Sequence, residues 1–377
     1  MARAVQTVVV LLIIVFYAET RFQAHRPGGI DLTGYLAAAR ALAHGDDPYH
    51  VANAAFSYIY PLTLAFLLIP ITAVWYDVAI ALWYVLAVGS LFFVMRAMGR
   101  WHGFERWRWT LSLLVLLGFL EPIQNDLMNG QVNAEIVLLM FLFFTGYASG
   151  RKAIAGVFLG LAISIKLLPA IFCMFLVWRR EFRTLSIAVL ASAMFVLLPY
   201  AAAGQSTIVF YQSYLNEFLR HQLVASPDSQ RVFFTPYGFI GFLLPSLDLS
   251  NTVRYGVIVL TMGALAAFDR ARTSDVDPIR FLAYLLAIPL VSPMSEIHHL
   301  ILAVPAAVVV TEAAMADGAA VPRMIAAVFW VSLWTSHASP EGPFYFLSLF
   351  ALAVGLVRIG TRDLRQPANA VRWGFAP

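Results

Sequence analysis

The sequence predicts an all-α, polytopic integral membrane protein, and three observations predict it. Hydrophobic types make up 61% of the 377 residues and charged types 12%, with a mean hydropathy of +0.77, more apolar than a water-soluble domain of this length can use. Apolar runs near bilayer length recur at residues 5–16, 79–94, 132–147, 185–198, 253–268, 299–310 and 344–357, and charges and prolines mark their boundaries. The positive charge, nearly all arginine, falls in clusters between the runs; Lys152 and Lys166 are the only lysines. With the shorter apolar stretches included, about 12 transmembrane helices are expected.

The first element is the apolar run over residues 4–17. It leads into Glu19, Thr20, Arg21 and Phe22 rather than a small-residue cleavage site, which predicts a retained first helix with a cytoplasmic N-terminus. Arg96, Arg100, Arg106 and Arg108, then segments 150–152, 178–183, 269–280 and the tail from Arg358, are expected on the cytoplasmic side by the positive-inside rule. The segments 23–57, 121–131, 204–252, 292–298 and 337–343 then lie on the outer face.

Residues 31–44 predict an amphipathic helix on the outer surface, stopping at Gly45 with Pro48 beyond it. Residues 58–78, broken at Pro61 and Pro70, predict a short re-entrant or surface helix pair. Residues 153–177 begin and end at basic clusters, so they enter and return, turning at Lys166-Leu167-Leu168-Pro169. At a helical rise of about 1.5 Å per residue each arm reaches only part-way across. Cys173 is the only cysteine, which excludes an intramolecular disulfide.

Lys166 is a site candidate, because an ammonium near the bilayer centre costs roughly 2.5–3.5 kcal/mol and needs a partner or a water-filled cavity. Snorkelling to the outer interface is the competing reading. Asp31, just beyond Pro27-Gly28-Gly29, suits a general base and equally an N-cap. The stretch 125–133 surrounds Gly130 with Asn125, Asp126, Asn129, Gln131 and Asn133, whose uncharged donors and acceptors suit sugar hydroxyls; helix capping is the alternative. In Ser292-Pro293-Met294-Ser295-Glu296-Ile297-His298-His299, imidazoles at a helix start can meet an anion such as phosphate, with Glu296 setting tautomer or charge; a structural histidine pair is the alternative.

Other chemistries lack their residues. Adjacent histidines point in different directions on a helix and no HExxH spacing exists, so no metal ligation is expected of Asp31, Glu296, His298 and His299. Asp46-Asp47 before Pro48 predicts a turn, and there is no Asp-x-Asp, P-loop, Gly-x-Ser-x-Gly or nucleotide-binding Gly-x-Gly-x-x-Gly. The outer segment 204–252, with Tyr211, Tyr214, Arg220, His221, Arg231, Phe233 and Phe234, suits either a lipid or sugar acceptor or a helix in the headgroup region.

Several of these pieces, in this order and spacing, resemble the polyprenyl-phosphate-dependent glycosyltransferases of the GT-C fold, and within them glycosyltransferase family 87. They are Asp31 with Tyr35 and residues 45–49, Tyr58-Ile59-Tyr60-Pro61, Asn129-Gly130-Gln131-Val132-Asn133, residues 155–169 with Lys166, and residues 292–299. Leu62 stands where the family pattern usually has a second proline. The resemblance implies a GT-C-type fold with an outer-face interfacial helix after the first span, forming a single catalytic domain over residues 1–377 of a bacterial inner-membrane protein, and the positive-inside rule puts both termini in the cytoplasm.

It further implies inverting transfer of a sugar, mannose favoured, from a polyprenyl-phosphate donor to a lipid or glycan acceptor, with Asp31 as catalytic base. Lys166, His298 and His299 would neutralise the leaving phosphate, and Asn129, Gln131 and Asn133 would position sugar hydroxyls. Tyr60 and Glu296 complete the expected substrate-binding set. No cofactor and no metal are expected; the partners are donor, acceptor and membrane lipids, and no nucleic acid. The rival class is a transporter or flippase, which also uses intramembrane lysines and broken helices but places its site at the midplane between inverted repeats. A non-catalytic scaffold, which would tolerate substitution at Asp31, is the third.

Overall fold

A computed structural model of the chain describes residues 15, 17–22, 31–52, 57–98, 119–219, 235–244, 251–270, 277–292, 295–317, 320–338 and 344–365. The body of the expected first helix, the basic segment at Arg100–Arg108, Gly28-Gly29, residues 220–234 and Pro293-Met294 lie outside the described residues. Among the described residues the structure is all-helical and contains no strand.

In chain order the helices include α1 (Asp31–His44), α2 (Leu62–Leu68), α3 (Tyr76–Met98), α4 (Leu120–Asn129), α5 (Asn133–Ala148), α6 (Lys152–Ile165), α7 (Ile171–Trp178) and α8 (Phe182–Leu197). Beyond them in the chain lie α9 (Asn251–Arg270), α10 (Pro278–Val291), α11 (Val304–Asp317), α12 (Ala320–Ala338) and α13 (Phe344–Arg365). Two compact units emerge: one holds residues 1–93, 124–170 and 181–223, the other 94–123, 171–180 and 224–377.

Among the described residues, four segments are long and apolar enough to cross a membrane: Tyr76–Met98, Phe182–Ala203, Ile297–Met315 and Phe344–Thr361. A fifth arises if α4 and α5, bent by 107°, are one broken span. Several of their large apolar side chains face outward, among them Val85 on α3, and Leu190, Met194 and Leu197 on α8. Such faces are stable against lipid tails and costly against water.

In the first unit, α1 covers the residues expected and stops before Gly45. It is more than a surface helix, because Leu32, Tyr35, Leu36, Ala38, Ala39 and Leu42 are buried and the helix packs on α2 and the 3-10 turn Ile69–Ala73. The alanines that make its apolar face look weak in sequence allow this close approach. The Leu62–Ala73 segment, at about 1.5 Å per residue, is too short for a crossing.

Helix α6 packs between α5 and α8. Gly160 decides the second contact: a Cβ there would lie 2.6 Å from the Ala188 carbonyl oxygen and 2.7 Å from the Ala191 Cβ, so the backbones meet through small residues as membrane helices favour. Helix α6 ends at Ile165, and Lys166 takes an extended conformation (φ −143°, ψ 124°) before the 3-10 turn Leu168–Ala170, where the sequence places the break.

In the second unit, α10 begins with Asp277, whose carboxylate accepts from the Ile279 and Arg280 backbone N–H groups, and Pro278 fills the first turn. Arg280 is fully buried, ion-paired with Asp269 of α9, and donates to the Asp269 carbonyl oxygen at 3.1 Å. That pair fastens α10 to α9.

Candidate functional site

The first unit gathers five of the nine nominated residues into one hydrogen-bonded constellation. It is built around the turn between α4 and α5. Gly130 sits there at φ +66°, a left-handed conformation costly for other residues, and a Cβ at this position would lie 2.6 Å from the Leu32 Cβ. The turn therefore rests directly on the first turn of α1, which delivers Gln131 to Asp31 across 100 positions of sequence.

Gln131 Nε2 donates to Asp31 Oδ2. Its Oε1 accepts from the Tyr60 hydroxyl at 3.1 Å and the Tyr35 hydroxyl at 3.3 Å. Two phenol donors on the amide oxygen leave the NH2 end to face the carboxylate, so the orientation of Gln131 is fixed by chemistry. Burial pushes the Tyr35 hydroxyl well above the ordinary range, with Tyr60 and the Asp31 charge adding to the shift, so it remains a proton donor.

A second chain of bonds meets the first at Tyr60. Lys166 Nζ donates to Asn133 Oδ1 at 2.7 Å and lies 5.4 Å from the centroid of the Tyr60 ring, whose hydroxyl is the one bound to Gln131. Asn133 Nδ2 donates in turn to Asp126 Oδ1 at 2.8 Å. Asp126 and Asn133 are fully buried and Lys166 is 8% exposed. The lysine thus has the stabilising neighbours that its depth requires.

The other four nominated residues stand apart from this constellation. Asn129 donates to Asn125 Oδ1 at 2.9 Å, one turn back on its own helix, and so acts along α4. Glu296, His298 and His299 belong to the second unit, at the start of the 3-10 turn Ile297–Ala303 that leads into α11. Both histidines are buried, their rings 4.5 Å apart, and Glu296 Oε2 lies 3.6 Å from His298 Nδ1. Glu296 and His299 form a reciprocal capping box, in which the Glu296 backbone N–H donates to His299 Nδ1 at 3.0 Å. That bond makes His299 Nδ1 an acceptor.

Two residues, Tyr35 and Asp126, belong to the constellation without having been nominated. Tyr35 lies one turn after Asp31 on the same face of α1, a spacing visible in sequence. Asp126 was part of the polar cluster without a role of its own. Glu135, hidden in an apolar run, is buried with no hydrogen-bond partner on either carboxylate oxygen. Among the described residues no group of three or more His, Cys, Asp or Glu side chains could hold a metal ion.

The amide of Gln131 holds the Asp31 carboxylate, two phenols hold that amide, and the Lys166 ammonium lies over the ring of one of those phenols. The sequence profile of glycosyltransferase family 87 matches residues 58–293, which include the Gly130 turn, Lys166 and the polar residues between them. The chain belongs to glycosyltransferase family 87. It is therefore a glycosyltransferase of a membrane family, and the transporter reading is not favoured.

Relatives of this family 87 chain carry compatible names. It is 25% identical over 78% of its length to a polyprenol-phosphate-mannose-dependent alpha-(1-2)-phosphatidylinositol mannoside mannosyltransferase of Mycobacterium tuberculosis, 73% of which is covered. It is 24% identical over 81% of its length to a polyprenol-phosphate-mannose-dependent alpha-(1-2)-phosphatidylinositol pentamannoside mannosyltransferase of the same species, 72% of which is covered. A Mycolicibacterium smegmatis phosphatidylinositol mannoside mannosyltransferase is 27% identical over 51% of the chain and 44% of its own length. No solved structure matches the chain.

Proposed function

We propose that this family 87 enzyme transfers a sugar, mannose in the first instance, from a polyprenyl-phosphate carrier to a lipid or glycan acceptor on the outer face of the bacterial inner membrane. The supporting observation is the contact between Asp31 and Gln131, which fixes a carboxylate beside a cluster that also holds a buried ammonium. The relatives' use of polyprenol-phosphate mannose and phosphatidylinositol mannosides supports the choice of donor and acceptor class.

Asp31 takes the proton of the acceptor hydroxyl as its oxygen attacks the anomeric carbon from the face opposite the carrier. The bond from that carbon to the phosphate oxygen breaks with inversion, and the polyprenyl phosphate leaves as an anion. Lys166 stabilises the charge that develops on it. Gln131 and Asn133 hold Asp31 and Lys166, while Tyr60 links them. No leaving-group acid is needed. The chain forms a single GT-C-type catalytic domain of about 12 transmembrane helices, counted from its apolar runs, with α1 next to the outer interface and both termini cytoplasmic.

The test compares wild type and Asp31→Asn in liposomes with labelled polyprenyl-phosphate mannose and phosphatidylinositol mannoside acceptors. Asparagine keeps an acceptor for Gln131 and loses the base. Transfer is expected from wild type and to fall by about 10²–10⁴-fold in the folded variant. A variant as active as wild type makes Asp31 a helix-terminal residue only. Passage of labelled solute across the bilayer without transfer reinstates the transporter.

A further inference from the structure

Resting on the reading of Lys166 as the group that binds the carrier phosphate, we infer that Asp126 is a positioning residue for donor binding, acting through Asn133. Asp126 stands on α4, seven positions before Asn133 at the start of α5, with the Gly130 turn between them. Asn133 is fully buried between two partners: its Oδ1 accepts from Lys166 Nζ at 2.7 Å and its Nδ2 donates to Asp126 Oδ1 at 2.8 Å.

A carboxamide in a buried slot has two orientations related by a flip, and only one is useful here. With oxygen toward Lys166 it accepts from the ammonium. Flipped, it would set an NH2 donor against an ammonium that has donors only. Asp126 selects the useful orientation, because its Oδ1 accepts both in the carboxylate and in the acid protonated on Oδ2, and an acceptor can face only the NH2 end. The selection propagates to the ammonium, whose place over the Tyr60 ring depends on the Asn133 oxygen.

A plain capping role is the competing account, since the Ala134 backbone N–H at the start of α5 also reaches Asp126. A cap would stabilise the helix without favouring one substrate over the other. Positioning through Asn133 acts on the phosphate alone.

The experiment uses the full-length protein in nanodiscs with polyprenyl phosphate as the binding probe, together with KM for the polyprenyl-phosphate mannose donor and for the acceptor. In Asp126→Ala, polyprenyl-phosphate affinity is expected to fall and donor KM to rise by about tenfold or more, the scale of one charge-assisted hydrogen bond, with acceptor KM unchanged. Asp126→Asn, whose amide oxygen still accepts from Asn133, is expected to stay within about threefold of wild type. Wild-type phosphate affinity in Asp126→Ala overturns the inference, as does equal damage to donor and acceptor KM or an Asp126→Asn variant as impaired as the alanine. Lys166→Met, run in parallel, separates the two levels. If it leaves polyprenyl-phosphate affinity unchanged, the phosphate-binding role of Lys166 fails, and the inference with it, whatever Asp126 does.

Discussion

The two units treat their polar residues differently. In the first, Gln131 reaches Asp31, Tyr35 and Tyr60 across 100, 96 and 71 positions, and Lys166 reaches Asn133 across 33. In the second, the nominated pair bonds close at hand, the Glu296 backbone N–H donating to His299 three residues on, while Arg280 pairs with Asp269 eleven residues back and Tyr345 reaches Glu121 across 224 positions. Local bonds stabilise a helix start or a helix pair wherever that helix lies. Bonds between remote segments hold catalytic groups at fixed separations, which is what a preorganised site requires. Five nominated residues of the first unit are linked by contacts of that remote kind.

Substitutions can break that division, the largest expected effect first. Arg280→Met leaves the buried Asp269 without its ion pair and should lower stability by about 3–5 kcal/mol, read by thermal unfolding in detergent, while kcat/KM of the folded fraction is kept. A variant of unchanged stability and lost activity would move chemistry into the second unit. Lys166→Met should do the reverse: unfolding close to wild type, and kcat/KM for the donor down by about 10²–10³-fold.

Gly130→Ala forces a Cβ onto Leu32 in a left-handed conformation and should cost about 1–3 kcal/mol of stability. Because the turn also delivers Gln131, initial-rate assays should show activity falling further than stability accounts for. The smallest effect is expected of His299→Gln, which breaks the capping box at about 0.5–2 kcal/mol and lowers transfer by less than about tenfold, measured as kcat at saturating donor. A loss matching that of Lys166→Met would dissolve the contrast between the units.

Much of the site could be read in the chain because its residues break local rules. Lys166 is conspicuous as a lone cation in apolar sequence, and Asn129-Gly130-Gln131-Val132-Asn133 as amides around a glycine. Asn129 and Asn133 look equivalent there, yet one bonds back along α4 and the other links Lys166 to Asp126, because the Gly130 turn sends them to different neighbours. Glu135 escaped notice since one carboxylate in an apolar run does not alter the run's hydropathy.

The sequence by itself determined the features governed by solvent and short-range sterics. Its apolar composition selects a helical membrane protein, the stop at Gly45 bounds α1, and Pro169 breaks the chain after Lys166. Tertiary structure alone decided which polar groups meet: that Gln131 turns its NH2 to Asp31, that Tyr60 joins the carboxylate to the lysine, and that Asp126 backs Asn133. The reason is physical. Hydropathy and helix termination act over a few residues and are written locally, whereas a hydrogen bond between α1 and the turn 100 positions away exists only because packing brings both backbones within reach.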